Sequence, residues 1–153
     1  MPGLFESLPL WGMRALVVDP EDADREFLFS TLTSAGLIVT ATDGFASARR
    51  RLVRQPPTVL VAEIRLGHHN GLHLAHIAHW MRRQLIVVMT SRYRDPVLMR
   101  DVEALGAAFV QKPLTPGGLL ATLYRAALRK GHVDDVWSGA RRLASVGGEP
   151  HEG

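Results

Sequence analysis

The sequence predicts an α/β fold, a doubly wound parallel sheet of five strands with helices on both faces. Three observations predict it. Short runs rich in Val, Ile and Leu alternate with longer stretches of helical periodicity, five times between residues 15 and 130. The run QLIVVMTS (84–91) has no polar alternation, as expected of a strand buried on both faces. Gly, Pro and Asp or Thr stand where the helical stretches begin and end. At 153 residues the chain is read as one domain, long enough to bury a core without disulfides or metals.

In order, ALVVD (15–19) is a strand ending in a carboxylate, and DADREFLFSTLTSAG (22–36) aligns Phe27, Leu28, Thr31, Leu32 and Ala35 on one stripe before Gly36 stops the helix. LIVTA (37–41) is the second strand. DGFASARRRLV (43–53) is the second helix, opened by an Asp43 cap and ended by Pro56 and Pro57. TVLVAE (58–63) is the third strand, followed by a loop, and GLHLAHIAHWMRR (71–83) repeats apolar residues at Leu72, Ala75, Ile77, Ala78 and Met81. QLIVVMTS is the fourth strand. DPVLMRDVEALGA (95–107) is a helix ending at Gly106, AFVQ (108–111) the fifth strand, and TPGGLLATLYRAALRK (115–130) a helix with Thr115 as cap and Pro116 in its first turn. Residues 1–12 are read as an N-terminal extension, 13–130 as the domain and 131–153 as a tail. In the tail, Val133, Val136, Trp137, Ala140, Leu143 and Ala144 fall at helical spacing, a short amphipathic helix that could pack on the domain or a second subunit before a disordered GGEPHEG.

Composition excludes several classes. With no Cys, disulfides, thiolate metal sites and cysteine nucleophiles are absent together. No apolar run approaches the roughly 20 residues that cross a bilayer, and the first residues lack a signal peptide's basic start and apolar core. The expectation is a cytoplasmic protein with no membrane partner. Eighteen basic against fifteen acidic side chains leave a net charge of +3, and Lys112 and Lys130 are the only lysines. The densest cluster, Arg49, Arg50, Arg51 and Arg54, lies on the second helix, where a nucleic acid or an acidic partner could bind, though a solvated face is preferred and nucleic acid is not expected as a partner.

In an open parallel sheet the ligand site lies beyond the carboxyl ends of the strands, at the switch in strand order. The residues there are Asp19, Glu63, Thr90 with Ser91, and Lys112 followed by Pro113. Two acids, a hydroxyl and an ammonium converge. In the motifs VVDPE, VAEIRLGHHNG, VVMTS and GAAFVQKPL, residues 13–130 resemble the receiver domain of two-component response regulators, the CheY-like superfamily. The resemblance implies a flavodoxin-like (βα)5 sheet in the order 2-1-3-4-5. It also implies that an acidic pair after strand one holds Mg²⁺ and that an Asp after strand three accepts a phosphoryl group from a histidine kinase. Thr90 and Lys112 take the places of the phosphoryl-pocket residues, Phe109 that of the switch aromatic, and Pro113 that of a cis proline.

The chain departs from the pattern at two positions. Glu63 occupies the phosphoacceptor's place, its carboxylate one methylene further out, over ground the phosphoryl group and Mg²⁺ would fill. Pro20 replaces the second metal-binding acid and has no side-chain oxygen, so Asp19 alone makes an incomplete, weak Mg²⁺ site, and no cofactor is otherwise expected. Phosphorylation is expected to be slow or absent. Glu63 could instead pair with Lys112 and accept from Thr90, as a permanent on-state, or simply keep a decayed site's ammonium from being buried unpaired. Glu21 or Asp22 could restore a weak cation site, with helix capping by Asp22 the preferred role. Phe109, lacking a hydroxyl, is expected buried. His69, His73 and His76 are spaced for one face that could bind Zn²⁺ or sense pH, though a solvated face is preferred.

These readings converge on an atypical single-domain receiver, not an enzyme, acting by binding a histidine kinase or a downstream effector through the helix 4, strand 5 and helix 5 face. Phe109, Arg92, Arg94 and Arg100 are expected on that face, and a homodimer is compatible with it. The alternatives are a nucleic-acid-binding pseudo-receiver using the helix 2 arginines, or a phosphoryl-handling enzyme built on the same pocket.

Overall fold

The computed structural model describes residues 10–131. The proposed tail helix and most of the N-terminal extension lie outside them. Strands β1 (Arg14–Val18), β2 (Ile38–Thr42), β3 (Val59–Glu63), β4 (Ile86–Ser91) and β5 (Ala108–Gln111) form one parallel sheet in the order β2-β1-β3-β4-β5. Between them run α1 (Asp22–Ser34), α2 (Phe45–Arg54), α3 (Gly71–Met81) and α4 (Pro96–Ala104), with α5 (Pro116–Arg129) closing the domain.

Alternate side chains of each strand enter opposite layers. Leu16, Val18, Leu60, Ala62, Val87 and Met89 pack with α2, α3 and α4. Ala15, Val17, Val59, Val61, Ile86 and Val88 pack with α1 and α5, chiefly on Leu28, Leu32, Leu119 and Leu123. Every residue of β3 and β4 is buried, which is why those runs show no alternation and why a carboxylate ending β3 must find its partners inside.

Local chemistry differs from expectation at a few places. Thr115 caps α5, its hydroxyl accepting from Gly118 N at 3.1 Å with Pro116 in the first turn. Asp43 caps nothing: Gly44, one residue later, is the N-cap of α2 and has no side chain to offer. Asp22 does not cap α1 either. Glu21 holds the N-cap position without a side-chain hydrogen bond, and Asp22, already inside the helix, pairs with Arg25. The loop after β3 contains a two-rung antiparallel hairpin, Arg65–Leu66 against His69–Asn70, and Asn70 then caps α3 through Leu72 N at 2.9 Å. On α3, Leu74 is buried where the sequence stripe omitted it, while Met81 is 40% exposed. Gly71 sits against the end of β3, where a Cβ would overlap the Glu63 carbonyl oxygen.

Candidate functional site

The carboxyl ends of β1, β3, β4 and β5 bring Asp19, Glu63, Thr90 and Lys112 together. Register does much of this: Glu63 is aligned with Thr90, and Lys112 N donates to Ser91 O at 2.9 Å just past the β4–β5 pairing. The Lys112–Pro113 peptide bond is cis.

Lys112 Nζ is the hub. It lies 2.8 Å from Asp19 Oδ2, 2.8 Å from Asp24 Oδ2 and 2.9 Å from Glu63 Oε2, so the three donors of one ammonium face three carboxylates. Thr90 donates to the same Glu63 oxygen at 3.3 Å. Asp19 is fully buried, its second oxygen accepting from Glu21 N at 2.9 Å. Among the described residues, no buried side-chain nitrogen or oxygen lacks a hydrogen-bond partner. Burial alone would push the Lys112 ammonium down, but hydrogen bonds to Asp19, Asp24 and Glu63 outweigh it and hold the pKa well above the ordinary value. Burial raises Asp24, and its bond to Lys112 with the neighbouring Arg92 charge overrides that and lowers it.

Asp24 is the residue the sequence reading missed. Neither Glu21 nor Asp22 enters the pocket; Asp24, one helical turn before Leu28 on the buried stripe of α1, does so instead. An acid heading an otherwise apolar stripe was the available signal. Arg92 was expected on the helix 4 face. It instead bridges Glu21 Oε2 at 2.9 Å and Asp24 Oδ2 at 3.4 Å across the pocket rim, where hydrogen bonding to Glu21 raises its pKa. Across the mouth, the Arg65 guanidinium lies 4.4 Å over the Tyr93 ring. Ser91 turns away from the carboxylates and accepts from Tyr93 N at 3.1 Å.

The donor set does not fit a divalent cation as arranged. All three carboxylates give an oxygen to the Lys112 ammonium, which takes the place a metal would need, Pro20 offers none, and among the described residues no group of three acids or histidines is placed to hold a metal ion. The histidine face gathers no Zn²⁺ set either. His69 stacks on Phe45 at 4.5 Å between ring centroids, and His73 tilts on it at 5.5 Å.

Phe109 is half-buried rather than buried. It packs beside Met99 and Val102 on the margin of the core, in a groove of about 510 Å³ that Arg94 and Lys130 also line. Met99 and Val102 belong to α4, which ends at Ala104.

A five-stranded parallel α/β sheet with acids, a hydroxyl and a lysine at the carboxyl ends of its strands defines a receiver-type signalling module. The family model for the response regulator receiver domain matches residues 15–124, and the chain belongs to that family. The chain is 31% identical over 147 residues to the transcriptional regulatory protein FixJ of Azorhizobium caulinodans, covering 92% of this chain and 67% of that protein. It is also 31% identical over 122 residues to the alginate biosynthesis transcriptional regulatory protein AlgB of Pseudomonas putida, covering 76% of this chain but 27% of the relative. Among solved structures, a CheY-like receiver domain protein of Methanospirillum hungatei superposes with a TM-score of 0.73 at 21% identity, over 78% of this chain and 97% of that one. The Vibrio cholerae chemotaxis protein CheY4 gives 0.68 at 22%, over 75% and 98%. The sheet order agrees with the flavodoxin-like order the sequence implied. Among the described residues no helix is long and apolar enough to cross a membrane.

Proposed function

We propose that this chain is an atypical receiver of two-component phosphorelay signalling that works without phosphorylation, by protein–protein interaction. Receiver domains are typically signalling modules rather than enzymes, and this chain is read as one of them. The observation that carries the reading is the Glu63 carboxylate, one oxygen of which is engaged by both Lys112, at 2.9 Å, and Thr90, at 3.3 Å. A group held this way cannot approach a phosphoryl donor without giving up a buried ion pair and a hydrogen bond. The same contacts stand in for those a phosphorylated acceptor would make, so the reading favours a permanently engaged site. In this reading the protein is cytoplasmic. Its partner, a histidine kinase or a downstream effector, meets the α4, β5 and α5 face, where Phe109 and Arg94 line the groove.

Intact mass after incubation with acetyl phosphate and Mg²⁺ tests the proposal. The wild type is expected to remain unmodified. Glu63→Asp alone is expected to stay inert, because Pro20 still offers no oxygen, whereas Pro20→Asp combined with Glu63→Asp is expected to take up a base-labile phosphoryl group. An adduct on the wild type would overturn the proposal.

A further inference from the structure

A second feature, independent of the Glu63 pocket, lies on α2. The helix carries Arg49, Arg50, Arg51 and Arg54 and no acid within its own span. Among the described residues none of the four makes an ion pair, the pairs there belonging to Arg25, Arg92 and Lys112. Beside them runs an open groove of about 550 Å³, with Phe45, Ala46 and Val53 for its apolar surface and Arg49, Arg50 and Arg54 along its rim. Val53 is 63% exposed, an apolar side chain left in water between guanidinium groups. His69 closes the groove by stacking on Phe45.

Apolar surface bordered by fixed positive charge matches a ligand that is apolar and anionic together. Arg49 and Arg54 lie five residues apart, about 7.5 Å along the axis, so one small anion cannot meet the whole rim. Apart from Phe45 the lining residues are themselves exposed, whereas small-molecule sites enclose most of their ligand. A nucleic acid would use an aromatic face for base stacking, and the Phe45 ring, 8% exposed, is already covered by His69 and flanked by His73. We propose that the α2 groove docks an acidic amphipathic segment of a partner protein, its carboxylates on the arginines and an apolar side chain against the exposed Val53 and Ala46. This is a second surface, remote in the sheet order from the α4, β5 and α5 face, so one receiver could hold two proteins at once.

The test uses the full chain and three labelled probes: an amphipathic helical peptide of about 12 residues with Glu at i, i+4 spacing, its Gln counterpart, and a single-stranded oligonucleotide. Fluorescence anisotropy is expected to show saturable, salt-sensitive binding of the Glu peptide and binding about tenfold weaker for the Gln peptide. Arg49→Gln with Arg50→Gln, and separately Val53→Asp, are expected to weaken the Glu peptide about tenfold, while Arg49→Lys with Arg50→Lys retains most of the affinity. Thermal melts matching the wild type show that each variant is folded. Absence of saturable peptide binding, indifference to these substitutions, tighter binding of the oligonucleotide, or a dimer dissolved by the arginine variants would each overturn the proposal.

Discussion

At Lys112 one side chain balances three carboxylates, and its removal is not equivalent to removing any one of them. Lys112→Met leaves Asp19 and Glu63 buried beside each other without a cation, and is expected to cost about 3–5 kcal/mol in urea unfolding. Glu63→Gln keeps a hydrogen-bonding group there and leaves Asp19 and Asp24 on the ammonium, so about 1–3 kcal/mol is expected. The pKa shifts fix the pH dependence. Asp24 is lowered from its ordinary value of 3.8, so its stabilisation is present above that value and is lost as pH falls through the lower folded one. Lys112 is raised from 10.5, so its stabilisation is complete below that value and is lost only at more alkaline pH. Unfolding free energy is therefore expected to be flat near neutrality with respect to this cluster and to fall on both flanks. Asp24→Asn flattens the acid flank, which urea titrations across pH would show. Of these residues Asp19, Glu63, Thr90 and Lys112 were legible because each ends or follows an apolar run. Asp24 was not, because an acid in the first turn of a helix has the same local pattern whether it faces solvent or a buried partner.

Helix starts show how far local rules reach. Thr115 and Asp95 stand three residues before the N–H groups they accept, at 3.1 Å from Gly118 N and 2.8 Å from Leu98 N. Thr115→Ala and Asp95→Ala are each expected to cost about 1 kcal/mol. Asp43→Ala and Asp22→Ala, which remove no cap, are expected to stay within about 0.5 kcal/mol of wild type. Chemical denaturation of the four variants checks the contrast. The sequence pattern Asp-Gly-Phe could not reveal that the chain turns helical one residue later, since Asp43 and Gly44 are both acceptable N-caps. The hairpin after β3 was hidden for a related reason: two rungs are too short for any periodicity to register. Leu74 was hidden by composition. Helix α3 is apolar around most of its circumference, so its buried stripe is not defined by contrast with a polar face.

Over the whole molecule, the layering was the most legible property, because continuous apolar strands can satisfy both faces only between two helical layers. Which face each helix covers was not, since that depends on strand order and not on any helix's own residues. The groove beside Phe109 and the rim charge of Arg92 belong to that same category: each joins residues from elements distant in the sequence, α4, β5 and α5 for the groove and Glu21 with Arg92 for the rim. The chain spans 67% of its FixJ relative and 27% of its AlgB relative. One consequence reaches beyond stability. On the proposed reading, Lys112 already answers three acids from the same chain, and the covalent state of Glu63 carries no message. What the cell can vary, on that reading, is the number of copies present and which of its faces is occupied, so information would enter through synthesis, turnover and competition among partners.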